Sequence, residues 1–273
     1  MNNPKTCFVC ALPAEAKALC ENYRLSKLKD KAWPVYENEE IVLIVSGMGQ
    51  NAVVNAVGYL AGHLDGNVAH FLNVGIAGHA SLERGAGVWV GKITHQHEAV
   101  ACYPAPVIRG KPTIKPLITG DRPVEIYSQD SLHDMEGYGF FKAATHYVPV
   151  DLIQLYKVVS DNTLQGIEAI DKASVYEWIK AKLAEIDHMR KQQFALAMEL
   201  VQARDLFELE KLFEACHFTH YESVRLKQLL QRAKALRLSA DAVEKVIGEG
   251  KNKKDILNGL DEILLQAGLG FRP

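Results

Sequence analysis

Short apolar runs that stop at glycine-rich or polar turns, separated by stretches of helical periodicity, set the limits on what residues 6–166 can form. "TCFVCAL" (6–12) is apolar throughout, as a strand buried on both faces requires. "PAEAKALCENY" (13–23) follows with Pro13 at a first helical turn. "EIVLIVSGMG" (40–49) is a second buried strand running into glycines. "QNAVVNAVGYLAGHL" (50–64) then carries Val53, Val54, Val57, Leu60, Ala61 and Leu64 at helical spacing. "VAHFLNVGIAG" (68–78) and "AGVWVGKI" (86–93) read as strands, the first again breaking at glycines. "DMEGYGFFKAATHY" (134–147) reads as a helix with small residues on one side, and "PVDLIQLYKVVSDN" (149–162) as a strand ending at polar residues. Alternation of this kind builds a sheet covered by helices, an α/β fold.

Two regions depart from it. Between Thr94 and Ser131 every short apolar run is cut by Pro104, Pro106, Pro112, Pro116 or Pro123, which predicts loop with short strands. After about Gly166 the chain reads as helical, and residues 191–273 carry long amphipathic runs with hardly any strand signal. Thr219 and Glu222 form a T-x-x-E capping box, Ser239 is placed to cap the next helix, and Ile256, Leu257, Leu260, Ile263 and Leu264 make a further apolar stripe. These stripes mean packing, so the expected organisation is an α/β domain over 1–190 and a helical extension over 191–273.

Charge and cysteine usage narrow the function classes. The chain has 273 residues, enough to bury a large core, and 31 Lys and Arg stand against 33 Asp and Glu. That balance gives no electrostatic reason to expect a phosphate-backbone partner, so nucleic acid is disfavoured. No apolar run approaches the roughly 20 residues of a bilayer-spanning helix, and "MNNPKTCFVCALPAEAK" lacks a signal peptide's basic start and long apolar middle. A cytoplasmic protein without membrane partners is the expectation. Five cysteines fit a reducing compartment, and Cys7 and Cys10 read as core residues of the first strand. His95 and His97 have no carboxylate or third histidine at ligand spacing, so they read as solvent-exposed strand residues and no metal site is assigned.

Strand ends at one edge of such a sheet are where open α/β folds bind ligands. Here they bring Ala11 to Glu15, Ser46 to Gly49, Gly75 to Gly78 and Ser160–Asp161 together, with "DME" (134–136) entering from a helix. Taken singly, Glu15 is a first-turn carboxylate favoured by the helix dipole, Asp161 a strand-end cap, Glu136 a helix-face acid, and Asp134 a cap for its own helix. In this order and spacing, "ALPAE", "SGMG", "NVGIAG", "DME" and "VVSD" resemble the purine nucleoside phosphorylase and uridine phosphorylase superfamily. The nearest likeness is to 5′-methylthioadenosine/S-adenosylhomocysteine nucleosidases, over roughly residues 5–190.

The resemblance implies a three-layer α/β/α phosphorylase-like fold with a mixed, partly barrel-like central sheet. It also implies an enzyme that uses no metal or organic cofactor and acts on a small-molecule purine nucleoside, a 5′-modified adenosine such as methylthioadenosine or S-adenosylhomocysteine. Asp161 is then the general acid toward purine N7, Glu15 activates the attacking water, and Glu136 binds the ribose 2′ and 3′ hydroxyls. Met135 lies against the sugar, Ser160 orients Asp161, and Ser46, Gly47, Gly75, Ile76, Ala77 and Gly78 form the binding turns. Related enzymes assemble as dimers or larger rings with a neighbour closing part of the pocket, which implies a homo-oligomer. The chemistry stands on its own terms: breaking an N-glycosidic bond leaves a cationic sugar and an anionic base, so an acid, a carboxylate near the sugar and a nucleophile are needed.

Phosphorylases of the superfamily usually carry an Arg two residues before the glycine loop and a Ser or Thr inside it, both contacting phosphate. Asn73 and Ile76 occupy those positions, which argues for water and hence a nucleosidase. Ile76 also departs from the Ser usual in nucleosidases. Between Gly91 and Asp134 the chain is shorter than theirs; "KPLITGDRPVEI" (115–126) stands where a base-binding strand belongs, and Tyr103, Tyr127, Tyr138 or Phe140 is available to stack on a ring. Two other readings stay open: a phosphate-dependent phosphorylase, and a noncatalytic nucleoside-binding protein of the same fold.

Overall fold

The computed structural model describes residues 4–98, 100–104, 112–124, 126–127, 130–205, 218–235, 238, 240–250 and 252–269. They fall in two compact units, Met1–Ala197 and Met198–Pro273.

In the first unit, β1 (Lys5–Cys10), β4 (Ile41–Val45) and β5 (Val68–His79) lie side by side in parallel, with β1 in the middle. The short β3 (Val35–Glu37) and β2 (Ser26–Lys27) add to β4 as antiparallel edge strands. On the other side β5 enters a closed circuit. It pairs with β10 (Ile153–Asp161), β10 with β6 (Gly87–His95), β6 with β8 (Ile114–Thr119), β8 with β9 (Leu132–Asp134), and β9 returns to β5. Five strands thus close a barrel at one end of a mixed sheet. A two-residue β7 (Ala101–Cys102) flanks β6.

Helices cover both faces, as the alternation in sequence predicts. Phe8 and Cys10 of β1, Leu43 of β4, Leu72 and Val74 of β5 and Tyr156 and Val158 of β10 face one side. There they pack with Leu19 of α1 (Pro13–Tyr23), Val175 and Ile179 of α4 (Lys172–Lys180), and Ile186 and Met189 of α5 (Leu183–Asp205). α2 (Gln50–His63) and α3 (Gly137–Ala144) pack together on the other side, where Phe71 of β5 meets Phe140 edge-on at 6.4 Å. Period-2 alternation in strands buried on both faces therefore feeds two separate cores.

Three local expectations change, and the short strands expected between 94 and 131 include one in the barrel wall. Val54 is exposed and Leu64 only half-buried; Ala56 takes the core position on α2 instead. Residues 134–147 are not one helix: Asp134 closes strand β9, and the helix runs only from Gly137 to Ala144 with Glu136 at its N-cap. The Asp134 carboxylate accepts from the Gly137 N–H at 2.9 Å and from Thr119 Oγ1 at 2.7 Å, holding the chain extended up to that point. Residues 114–119 form a full barrel strand despite Pro116, because β9 pairs with β8 only from Leu117 onward and the missing N–H leaves no broken pair there. His95 is not a solvent-exposed strand residue: its side chain is 10% exposed and packs on Tyr138 at 5.5 Å, while His97 lies in the turn beyond the strand. Cys7 and Cys10 are fully buried in β1, where burial pushes both thiols well above their usual range.

The second unit contains α6 (His220–Ala235), α7 (Ala240–Glu249) and α8 (Lys253–Leu269) around a core of Leu226, Leu230, Val243, Ile256, Leu260 and Leu264. Thr219 and Glu222 cap α6 reciprocally, Thr219 N–H donating to Glu222 Oε2 at 2.8 Å and Glu222 N–H to Thr219 Oγ1 at 3.3 Å. The proposed cap at Ser239 lies outside the described residues. No helix among the described residues is long and apolar enough to cross a membrane.

One barrel contact is unusually tight. A Cβ added at Gly87 on β6 falls 1.8 Å from the Tyr156 hydroxyl, which donates to Glu185 Oε2 at 2.7 Å. Gly87→Ala is expected to break that hydrogen bond and destabilise the first unit by about 1–3 kcal/mol, read as a lower urea midpoint. An unchanged midpoint contradicts this account of the barrel.

Candidate active site

The carboxyl ends of β1, β5 and β10 open onto one cavity of roughly 310 Å³. Glu15, Glu136 and Asp161, far apart in the chain, all line it. Ile76, Ala77, Gly78, Met135 and Ser160 line it as well. Ser46, Gly47 and Gly75 do not: the Ser46 hydroxyl turns back onto the carbonyls of Gly47 (2.8 Å) and Cys10 (3.3 Å).

Each acid is held by a different device. Glu15, in the first turn of α1 and 2% exposed, takes the Ala11 and Leu12 N–H groups on Oε2, both at 2.8 Å, and the Ile76 N–H on Oε1 at 3.0 Å. Burial raises its pKa, against the opposing pull of Lys157 and these three amides. A Cβ at position 75 would stand 2.9 Å from Glu15 Oε1, so glycine there permits the approach. Asp161 closes β10, where Ser160 Oγ donates to Oδ1 and the Tyr127 hydroxyl to Oδ2. It sits beside Gly78, where a Cβ would come within 2.6 Å of Oδ2. Glu136, 8% exposed, accepts from the Gly49 N–H at 2.7 Å through Oε1. Gly49 reaches that position with φ at 92°, in the left-handed region that favours glycine.

Lys157 is buried beside Asp134, close to this site, although it was not among the residues singled out in the sequence. It is 1% exposed, and its Nζ stands 2.8 Å from Asp134 Oδ2. Burial alone would lower the lysine pKa; Asp134, Glu136 and Glu15 outweigh it and leave the ammonium above its ordinary value. Glu136 is pushed up to about 7, first by burial and then by the negative charge of Asp134, with Lys157 and the Gly49 amide pulling the other way and Glu15 adding to the rise. The signal was present in "IQLYKVVSD": a lysine in a strand otherwise suited to burial on both faces needs a counter-charge nearby.

Of the four aromatics available for stacking, only Tyr127 reaches the cavity. Tyr138 and Phe140 are buried in α3, and Tyr103 is 61% exposed. Gln96, Arg122 and His133 add polar groups to the wall, while Met48, Ile167 and Ile170 add apolar ones. Among the described residues no group of three or more His, Cys, Asp or Glu side chains is arranged to hold a metal ion.

A closed five-strand barrel joined to a parallel sheet is a fold similar to that of phosphorylase-like nucleosidases, and solved structures carry it. No protein-family model and no curated protein matches the chain. The 5′-methylthioadenosine/S-adenosylhomocysteine nucleosidase of Campylobacter jejuni superimposes with a TM-score of 0.54 at 16% identity, covering 70% of this chain and 100% of its own. An MTAN variant from Chlamydia trachomatis bound to MTA gives 0.55 at 20% identity over 67% and 97%. Futalosine hydrolase of Helicobacter pylori gives 0.56 at 13% identity over 70% and 99%. The chain shares the fold of these hydrolytic nucleosidases.

The raised Glu136 pKa has a measurable consequence. Between its ordinary value of 4.5 and about 7, the folded state binds this proton while the unfolded state has released it, so stability falls as pH rises through that window. Glu136→Gln removes the effect. The variant is expected to gain up to about 3 kcal/mol over the parent at pH 8 and nothing at pH 4, by chemical denaturation at both values. An equal difference at the two pH values contradicts the assignment.

Proposed function

We propose that the protein is an N-glycosidase that hydrolyses a purine nucleoside, with a 5′-modified adenosine such as methylthioadenosine or S-adenosylhomocysteine as the substrate class. The observation that carries this reading is the convergence of Glu15, Glu136 and Asp161 on one cavity. Glu136 accepts the ribose 2′ and 3′ hydroxyls, which a carboxylate does well because it offers two acceptor oxygens. Water attacks C1′ and gives a proton to Glu15 as the C1′–N9 bond breaks, and Asp161 delivers a proton to N7 of the departing base. In the free protein the Tyr127 hydroxyl occupies Asp161 Oδ2, so the incoming purine exchanges that hydrogen bond for its own. The buried acids Glu15, Asp134 and Glu136 outnumber Lys157 and leave a field that favours the cationic sugar of the transition state.

Water rather than phosphate is the nucleophile. The Asn73 amide donates to the Val9 carbonyl at 3.0 Å inside the sheet, and the Ile76 N–H is taken by Glu15. Neither supports an anion ligand at the positions where phosphorylases carry one. The likeness in fold to the MTAN bound to MTA supports the substrate class.

The test is release of free base from a panel of adenine and hypoxanthine nucleosides in phosphate-free buffer. Turnover without phosphate is expected, with Asp161→Asn lowering kcat by about 10²–10⁴-fold. A phosphate requirement makes the protein a phosphorylase, and tight binding without turnover makes it a nucleoside-binding protein.

A further inference from the structure

His79, the last residue of β5, is buried and takes no part in the reaction proposed above. Its Nδ1 accepts from the backbone N–H groups of Ser81 and Leu82, both at 3.1 Å. Two donors on Nδ1 put the ring hydrogen on Nε2, and that N–H has no hydrogen-bond partner among the described residues. Burial, and after it the Lys115 ammonium, lower the imidazole pKa against the pull of Asp130, which keeps Nδ1 an acceptor at neutral pH. The ring is thus placed for its acceptor, at the cost of an orphaned buried donor.

The turn that His79 shapes grips the end of β10. The Ala80 carbonyl accepts from the Thr163 hydroxyl at 2.9 Å, and the Leu82 carbonyl from the Asn162 side-chain amide at 2.9 Å. Further along the same loop, the Gly85 N–H donates to the Val159 carbonyl at 2.8 Å and the Val159 N–H to the Ala86 carbonyl at 2.9 Å. Residues 80–86 therefore hold the chain on both sides of Ser160 and Asp161. Asn162 folds the segment beyond the strand back on itself, its Oδ1 accepting from the Leu164 and Gln165 N–H groups, both at 3.0 Å.

We propose that His79 is a positioning residue for the general acid: its Nδ1 sets the 80–82 turn, whose carbonyls fix Asn162 and Thr163 and with them Asp161 at the cavity. The role of Asp161 in this rests on the hydrolytic reading above. Without the acceptor, the Ser81 and Leu82 amides turn to solvent and the two carbonyls lose their orientation. Asp161 then keeps its pairing with Gly78 but loses the anchor on its C-terminal side. Proton delivery to N7 is a transition-state contact, so misplacing the acid shows in kcat rather than in KM.

His79→Leu is expected to lower kcat for a purine nucleoside about 10–10²-fold, with KM within about twofold of the parent. His79→Asn restores a near-parental kcat, because its Oδ1 stands where Nδ1 stood. A loss of stability with parental kcat makes His79 merely structural and overturns the proposal, as does an equal loss of kcat in both variants. Should His79→Leu fail to fold, Asn162→Ala, which cuts the anchor at Leu82, decides: a lowered kcat at parental KM supports the proposal and a parental kcat overturns it.

Backbone amide hydrogen exchange, followed by NMR, needs no turnover. In His79→Leu the loss of protection at Ser81 and Leu82 is expected to extend to Asn162 and Thr163, while Val159 stays protected. Unchanged protection at Asn162 and Thr163 overturns the proposal. This readout holds even if the parent protein releases no base, so a failure of the hydrolytic reading is told apart from a failure of the anchor.

Discussion

A lysine ammonium buried at 1% exposure against an aspartate carboxylate 2.8 Å away is the interaction on which the rest of the site depends. Taking either charge out of water alone is expensive, and removing one partner of such a pair typically costs about 3–5 kcal/mol. The pair is tolerated because Asp134 also accepts from the Thr119 hydroxyl and the Gly137 N–H. In return, it fixes β9 and the start of α3 against β10, and these two segments carry Glu136 and Asp161. An ion pair between β9 and β10 thus sets how Glu136 and Asp161 stand relative to each other at the cavity.

The glycine turns serve the same end by making room. Backbone N–H groups from β1, β5 and the start of α2 reach the carboxylates of Glu15 and Glu136 at 2.7–3.0 Å. Side chains at positions 75 and 78 would collide with Glu15 and with Asp161 and Tyr127. A pocket that holds several like charges needs such donors, because amides oppose protonation without adding mobile groups. The consequence is a cavity whose carboxylates are held in place by backbone donors.

Much of this was legible in the sequence, and the reasons are local. Apolar runs that end at glycine or a polar pair identify strand ends, and strand ends in an α/β sheet share one edge; hence Glu15, the 75–78 turn and Asp161 were found together. What was missed depends on distant pairing. Lys157 looks like an interruption until β9 brings Asp134 to it, and "DME" reads as helix because Met and Glu are good helix formers, whereas pairing with β8 and β5 keeps Leu132–Asp134 extended. Residues 114–119 were obscured by Pro116, whose cost vanishes once only one neighbour pairs at that point. Ser46 and Gly47 had the right neighbours but face the backbone, which no spacing rule reveals.

The claim at the centre of this account is that one cavity receives a riboside with its sugar on Glu136 and its base toward position 161. A crystal structure of the Asp161→Asn variant soaked with 5′-methylthioadenosine tests it most directly. The expected result is density in the cavity with the 2′ and 3′ oxygens within hydrogen-bond distance of the Glu136 carboxylate, N7 facing position 161, and the Tyr127 hydroxyl displaced. An empty cavity at saturating ligand, or a ribose turned away from Glu136, contradicts it.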